Sequence, residues 1–291
     1  MPDDTEDDIA EAQSAVSTFG YKFKEQLGSG AYATVKRVIY TNAAGKEVTL
    51  AGKVMNRNKL PEHFIRKFFP RELESLTALN HPHIIKVHSI LQRRNIVFIF
   101  MEFAAKGDLL EYILKQGELS ELQTLVWGSQ MYAAMAYMQG IGLCNRDLKC
   151  ENMLLSGHYN LKIADFGFAR KFSASTLSTT YCGSAAYAAP EILRGEPYDP
   201  GKSDIWSTGV ILFVMLCGTM PFSDEDTAQL LSDQENRAWT WRGKIEPTLS
   251  KEVKSLVYSI LDPNRFTRPS IKKVQSHPWL SVRMYKTLGG R

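Results

Sequence analysis

The sequence predicts an α+β chain: a small lobe built on an antiparallel sheet with one main helix, followed by a larger, mostly helical lobe. Three observations carry that prediction. β-branched and aromatic residues crowd Ala33–Tyr40, Val48–Met55 and Ile96–Phe100. Apolar residues recur at helical spacing from Asp108 onward. The pattern changes near Glu102–Gly107, which reads as the join of the two lobes, and a ligand cleft is expected beside it.

The elements follow in order. Residues 1–18 carry Asp3, Asp4, Glu6, Asp7, Asp8 and Glu11 with no Lys or Arg, and read as an acidic, disordered, solubilising tail. Between the first two strands, Asn42-Ala43-Ala44-Gly45 marks a turn. The one helix of the first lobe follows Pro70, with Leu73, Leu76 and Leu79 on one stripe; proline is tolerated at a first helical position. Beyond the hinge, helices are expected over Leu109–Gln116, Glu121–Gly140, Asp204–Cys217 and Lys251–Leu261. The resulting division is a tail 1–18, a folded domain 19–281 and a short tail 282–291. Within the domain the first lobe covers 19–101, the hinge 102–107 and the second lobe 108–281.

Composition excludes several classes. With 44% hydrophobic and 23% charged residues the chain is an ordinary globular protein rather than a disordered one. Its formal charge of +4 becomes +10 from residue 19 on, where 35 basic residues face 25 acidic ones. That basicity suits a phosphate-handling protein, but no polybasic run argues for nucleic acid. The acidic start lacks the blocks of a secretory signal. The longest apolar run, Gly209 to Cys217, falls well short of the roughly 18–20 residues of a membrane span. Cys144, Cys150, Cys182 and Cys217 form no C-x-x-C pair, so reduced thiols in the cytoplasm, with the nucleus as a second compartment, are the expectation.

The chemistry-bearing residues fall on two short stretches. Asn145-Arg146-Asp147-Leu148-Lys149-Cys150-Glu151-Asn152 and Asp165-Phe166-Gly167 offer a proton acceptor, a phosphate-binding cation and oxygen ligands for a hard metal such as Mg²⁺. Upstream, Gly28-Ser29-Gly30 precedes a strand. A lone G-x-G hairpin is commonly just a tight turn, and the strand that follows it disfavours a dinucleotide fold, which needs a helix there. Lys53 sits at a strand position, where a lysine is ordinarily a solvated edge charge.

Taken together and in this order, these motifs resemble the protein kinase family over roughly Tyr21 to Leu280. The resemblance implies the bilobal kinase fold, with ATP and Mg²⁺ as nucleotide and metal. It makes Asp147 the catalytic proton acceptor and Lys149 the cation that neutralises the moving phosphoryl group, and gives Asn152 and Asp165 to the metal. ATP would be held by Leu27, Gly28, Ser29, Gly30, Val35, Ala51, Lys53, Met101, Glu102, Ala104 and Leu154, with Glu72 orienting Lys53. Supporting roles fall to Arg146, to Ser184 hydrogen-bonding the catalytic Asp and Lys, to Asp204 bracing the catalytic loop, and to the Glu191–Arg268 buried pair. Thr180 matches an activation-segment phosphosite that would pair with Arg146, while Asp108 and Glu151 match positions that read basic residues in a substrate.

The Asp-Leu-Lys-x-x-Asn form is similar to serine/threonine kinases of the calcium/calmodulin-dependent group. Its nearest flavour is the testis-specific serine/threonine kinases, from Arg146-Asp-Leu-Lys-Cys-Glu-Asn and Tyr181-Cys-Gly-Ser-Ala-Ala-Tyr. That implies an ATP-dependent protein serine/threonine kinase with a role in sperm development. Its partners would be Ser/Thr-bearing protein substrates, an upstream kinase and a chaperone. Three positions depart from the family pattern: Asn145 in place of His, Ala33 in place of the third glycine, and Gly52 in place of a larger residue. Asn145 leaves open an alternative, a nucleotide-binding pseudokinase scaffold with weak turnover.

Overall fold

The computed structural model describes residues 6–30, 33–60, 79–167, 169–171, 177–180 and 183–281. The chain forms two compact units, Met1–Ala105 and Lys106–Arg291.

In the first unit, β1 (Tyr21–Ser29), β2 (Ala33–Thr41), β3 (Glu47–Asn56), β4 (Val87–Arg93) and β5 (Ile96–Glu102) form an antiparallel sheet in the order β1-β2-β3-β5-β4. The Asn42 side chain makes the β2–β3 turn by accepting the amides of Ala44 and Lys46, each at 3.0 Å. Residues directly opposite in the ladders share a face, so Val35, Ala51, Lys53, Ile99 and Met101 lie on one side. Val38, Leu50, Val54, Phe98 and Phe100 lie on the other. In β5 all five residues from Ile96 to Phe100 are buried, the pattern of a strand covered on both faces.

What covers the second face corrects the expectation of a disordered tail. Glu6–Ser17 is a helix, α1, whose Ala12 and Val16 are buried against Tyr21, Val38, Leu50, Phe98 and Phe100. Ile9, Ala12 and Val16 make one helical stripe, which the acidic composition hides from a reading by average. The helix expected after Pro70, and with it Glu72, lies outside the described residues.

In the second unit α2 (Leu109–Gln116) and α3 (Glu121–Gly140) start at side-chain caps, Asp108 and Ser120, and have the extents expected from the sequence. Two-stranded pairs follow: β6 (Leu143–Cys144) with β9 (Arg170–Lys171), and β7 (Met153–Leu155) with β8 (Leu161–Ile163). After α4 (Pro190–Leu193) comes α5 (Pro200–Cys217), in which every residue but Lys202 is buried. It begins one turn before the expected Asp204, because Asp199 caps it and Pro200 suits its first position. α6 (Thr227–Glu235), α7 (Lys251–Ile260), α8 (Ile271–Gln275) and α9 (Pro278–Ser281) complete the unit. No helix among the described residues is long and apolar enough to cross a membrane.

Candidate active site

The loop that carries the candidate catalytic residues is held by a buried carboxylate. Asp204, on α5, accepts the main-chain amides of Asn145 (2.9 Å) and Arg146 (2.8 Å). Burial pushes its carboxyl up to about 6, and those two amides oppose the rise. Arg146 adopts a left-handed backbone with φ of 66°, a conformation that costs a non-glycine residue about 1–2 kcal/mol. The Asp204 bonds to its own amide and to the preceding one hold it there.

Asn145 is fully buried and uses both ends of its amide. Its oxygen accepts the Asp147 amide at 3.0 Å, and its nitrogen donates to the Asp165 carbonyl at 3.1 Å. The side chain thus links the loop that carries Asp147 to the loop that carries Asp165. This departure from the family pattern keeps the two loops joined.

The β7–β8 hairpin brings the two candidate metal ligands to one end. Asn152 precedes β7 and Asp165 follows β8, and the Ala164 amide bonds the Asn152 carbonyl at 2.8 Å. Asn152 donates to the main-chain oxygen (2.8 Å) and the Oδ2 (3.1 Å) of Asp147. Lys149 Nζ lies 3.3 Å from the same Oδ2, and the Ser184 amide reaches Asp147 Oδ1 at 3.2 Å. The Ser184 contact to Asp147 is made by the main chain. Burial raises the Asp147 carboxyl above its ordinary range; the Lys149 ammonium and the Asn152 bond pull it back, and Asp165 adds to the rise. A base poised upward in this way is better matched to proton transfer near neutrality.

Gly183 lets the next segment close on this group. With φ of 93°, its backbone suits glycine, and a Cβ there would stand 2.8 Å from the Arg146 carbonyl oxygen. Tyr187 then ties the segment to the catalytic loop: its hydroxyl donates to Glu151 Oε2 at 3.3 Å and accepts the Cys150 amide at 3.4 Å. Ser207 donates to the Tyr187 carbonyl (2.9 Å), and Gln234 to that of Ala188 (3.0 Å). Glu191 and Arg268, both fully buried, form a two-pronged ion pair at 2.7 and 2.9 Å. Thr180 is fixed through its carbonyl by the Tyr198 hydroxyl at 3.0 Å. Asp108 caps α2 through the Glu111 amide, and burial, with Glu111 and Glu151 adding to it, pushes its carboxyl up. Leu154 is bridged to Asp108.

In the first unit, Val35 and Lys53 are ladder partners, and so are Ala51 and Met101. All four share the face opposite α1. Leu27, Gly28 and Ser29 close β1, and Gly30 bonds the Ala33 carbonyl at 2.8 Å. Glu102 leads out of β5 toward Ala104.

The sequence from 21 to 280 matches the family profile described as protein kinase domain. The chain belongs to the protein kinase family. Among curated relatives, testis-specific serine/threonine-protein kinase 3 of Mus musculus is 41% identical over 268 residues, which is 90% of this chain and 96% of the relative. Testis-specific serine/threonine-protein kinase 2 of the same species is also 41% identical, over 90% of this chain and 73% of its own length. The human testis-specific serine/threonine-protein kinase 4 is 35% identical, over 85% and 79%.

Within this kinase, sequence reasoning did not foresee the two-ended use of Asn145, the Tyr187 tether or the Gln234 support. Their bonds join residues 2 to 46 positions apart. Asn145 stood out only as a departure from the family pattern, and nothing marked Gln234. The activation-segment residues Ser173, Ser175, Thr176, Tyr181 and Cys182 lie outside the described residues.

Proposed function

We propose that this kinase transfers the γ-phosphoryl group of ATP to serine and threonine hydroxyls of protein substrates. The observation that carries the reading is the clasp on Asp147: Asn152, Lys149 and the Ser184 amide fix one buried carboxylate whose affinity for a proton is raised. Asp147 takes the proton of the acceptor hydroxyl as the phosphoryl group passes to that oxygen. Lys149, next to it, neutralises charge on the moving group, so the work is positioning and electrostatics. In the first unit, Val35, Ala51 and Met101 would flank the base, Leu27, Gly28, Ser29 and Gly30 would approach the phosphates, and Lys53 would meet the α- and β-phosphates.

No group of three or more His, Cys, Asp or Glu side chains among the described residues is placed to hold a metal ion. Asn152 and Asp165 supply one amide and one carboxylate, which suits Mg²⁺, an ion that takes one or two carboxylates plus phosphate oxygens and waters. Those two residues would hold it, and it would neutralise phosphate charge. The pseudokinase alternative rested on Asn145 alone, and that residue keeps both catalytic loops tied together. The relatives' names place them in the testis, and a role in sperm development is the setting we propose for this chain.

The acidic pair Asp108 and Glu151 supports a preference for basic residues near the acceptor. A Ser/Thr/Tyr peptide library with labelled ATP tests both points. Phosphate is expected on Ser and Thr, with Arg enriched on one side of the acceptor. Phosphate confined to Tyr, or to no peptide, would overturn the reading, and flat Arg enrichment would remove the acidic pair from it.

For regulation, phosphorylated Thr180 would add about −1.5 to −2 charges and pair with Arg146. Treatment with an upstream kinase is then expected to raise wild-type turnover about tenfold or more while leaving Thr180→Ala unchanged. Equal activation of both proteins would discard this switch.

A further inference from the structure

The outer layer of the first unit is built in a way that nucleotide use alone does not require. Along β3, Leu50, Gly52 and Val54 face α1, while Ala51 and Lys53 face the other side. Gly52 carries no side chain into the outer layer, and neighbours occupy the space. A Cβ there would stand 2.8 Å from Val38 Cγ2 and 3.4 Å from the Phe100 ring. Phe100 in turn stacks on Tyr21 at 3.9 Å, and Tyr21 on Tyr40 at 4.6 Å. Over this aromatic layer lies α1. Val16, fully buried, and Ala12 press into it. At the β4–β5 turn Arg94 grips both carboxylate oxygens of Glu11, at 2.9 and 3.0 Å.

The backbone next to Lys53 is held at its edges by the ladders to β2 and β5, and on the outer face by the packed layer, since position 52 has no side chain of its own to anchor there. Close-packed layers of this kind transmit displacement with little give. Losing α1 would expose Tyr21, Phe98 and Phe100 and free the strand to shift.

We propose that α1 is a positioning element for ATP: seated by Val16 on the outer face of the sheet, it fixes β3 and so the placement of Lys53 on the opposite face. This rests on the reading of Lys53 as a phosphate-binding group. The Glu11–Arg94 pair is solvent-exposed and contributes little energy, so Val16 is the residue to test.

The experiment uses the full chain with V16I, V16A and V16D, measuring melting temperature, kcat, and KM for ATP and for a peptide. The expected result is a rise in KM for ATP of about threefold in V16A and about tenfold or more in V16D, at unchanged KM for peptide, with the rise in V16I well below that in V16D. If V16D does not fold, V16A and V16I carry the comparison. Melting temperatures lowered with KM for ATP at its wild-type value, and any loss confined to kcat, would show that α1 only packs, and the proposal would fail. K53M in the same assay separates the two claims: wild-type kcat/KM for ATP in that variant would remove the reading of Lys53, whatever Val16 does.

Discussion

Asp147→Asn is expected to lose roughly 10²–10⁴-fold in kcat while its ATP affinity stays within about tenfold of wild type. The amide cannot accept the hydroxyl proton, and that transfer is felt in the transition state rather than in ground-state binding. The fold of the loop should survive the exchange. Asp204 still holds the amides of Asn145 and Arg146, and Asn145 still links to the Asp165 carbonyl. The pH profile gives a second readout. Burial raises the Asp147 carboxyl, and a base works only when unprotonated. Wild-type turnover should thus decline, as pH falls, earlier than an ordinary aspartate would allow, and the residual turnover of the variant should lack that acid limb. Labelled-phosphate transfer to a Ser/Thr peptide measures both. Equal kcat in the two proteins would falsify the assignment of Asp147 as the base.

Arg268→Ala is expected to destabilise the second unit by about 3–5 kcal/mol, because it strands the Glu191 carboxylate in a fully buried place. More than one partner is lost. Arg268 also donates to the carbonyls of Asp262 (3.0 Å) and Lys202 (3.1 Å) and lies over the Trp206 ring at 5.0 Å. At roughly 2–4 °C per kcal/mol, the melting temperature should fall by about 10 °C. Pairing Arg268→Met with Glu191→Gln should restore part of the loss, since neither buried site then holds an unmatched charge. A melting temperature within about 2 °C of wild type for Arg268→Ala would contradict the role of this pair. The penalty belongs to breaking the pair; an intact buried ion pair need contribute little net stability.

Much of the site was legible because its chemistry is compressed into short stretches. Asp147, Lys149 and Asn152 lie within one loop, and the Asn152 bond to Asp147 spans five positions. Asp165 follows after a hairpin whose strands pair Met153 with Ile163. Apolar recurrence likewise announced α2 and α3 from their own stretches of chain. Less legible was the contact that actually comes from Ser184, since a main-chain amide has no residue type to read. The acidic start misled for a different reason: composition averages charge over a segment, whereas docking depends on the one face that bears Ala12 and Val16.

The sequence by itself determined the α+β class, the kinase motifs and the candidate catalytic groups, because spacing along the chain sets local geometry and residue type sets chemistry. Only the tertiary structure decided how those groups are held. Asp204 meets the Arg146 amide across 58 positions, Tyr187 meets Glu151 across 36, and α1 seals a sheet face that its own charge concealed. Such contacts form when burial removes water from polar groups that must then find each other, and which groups meet depends on the packing of distant segments.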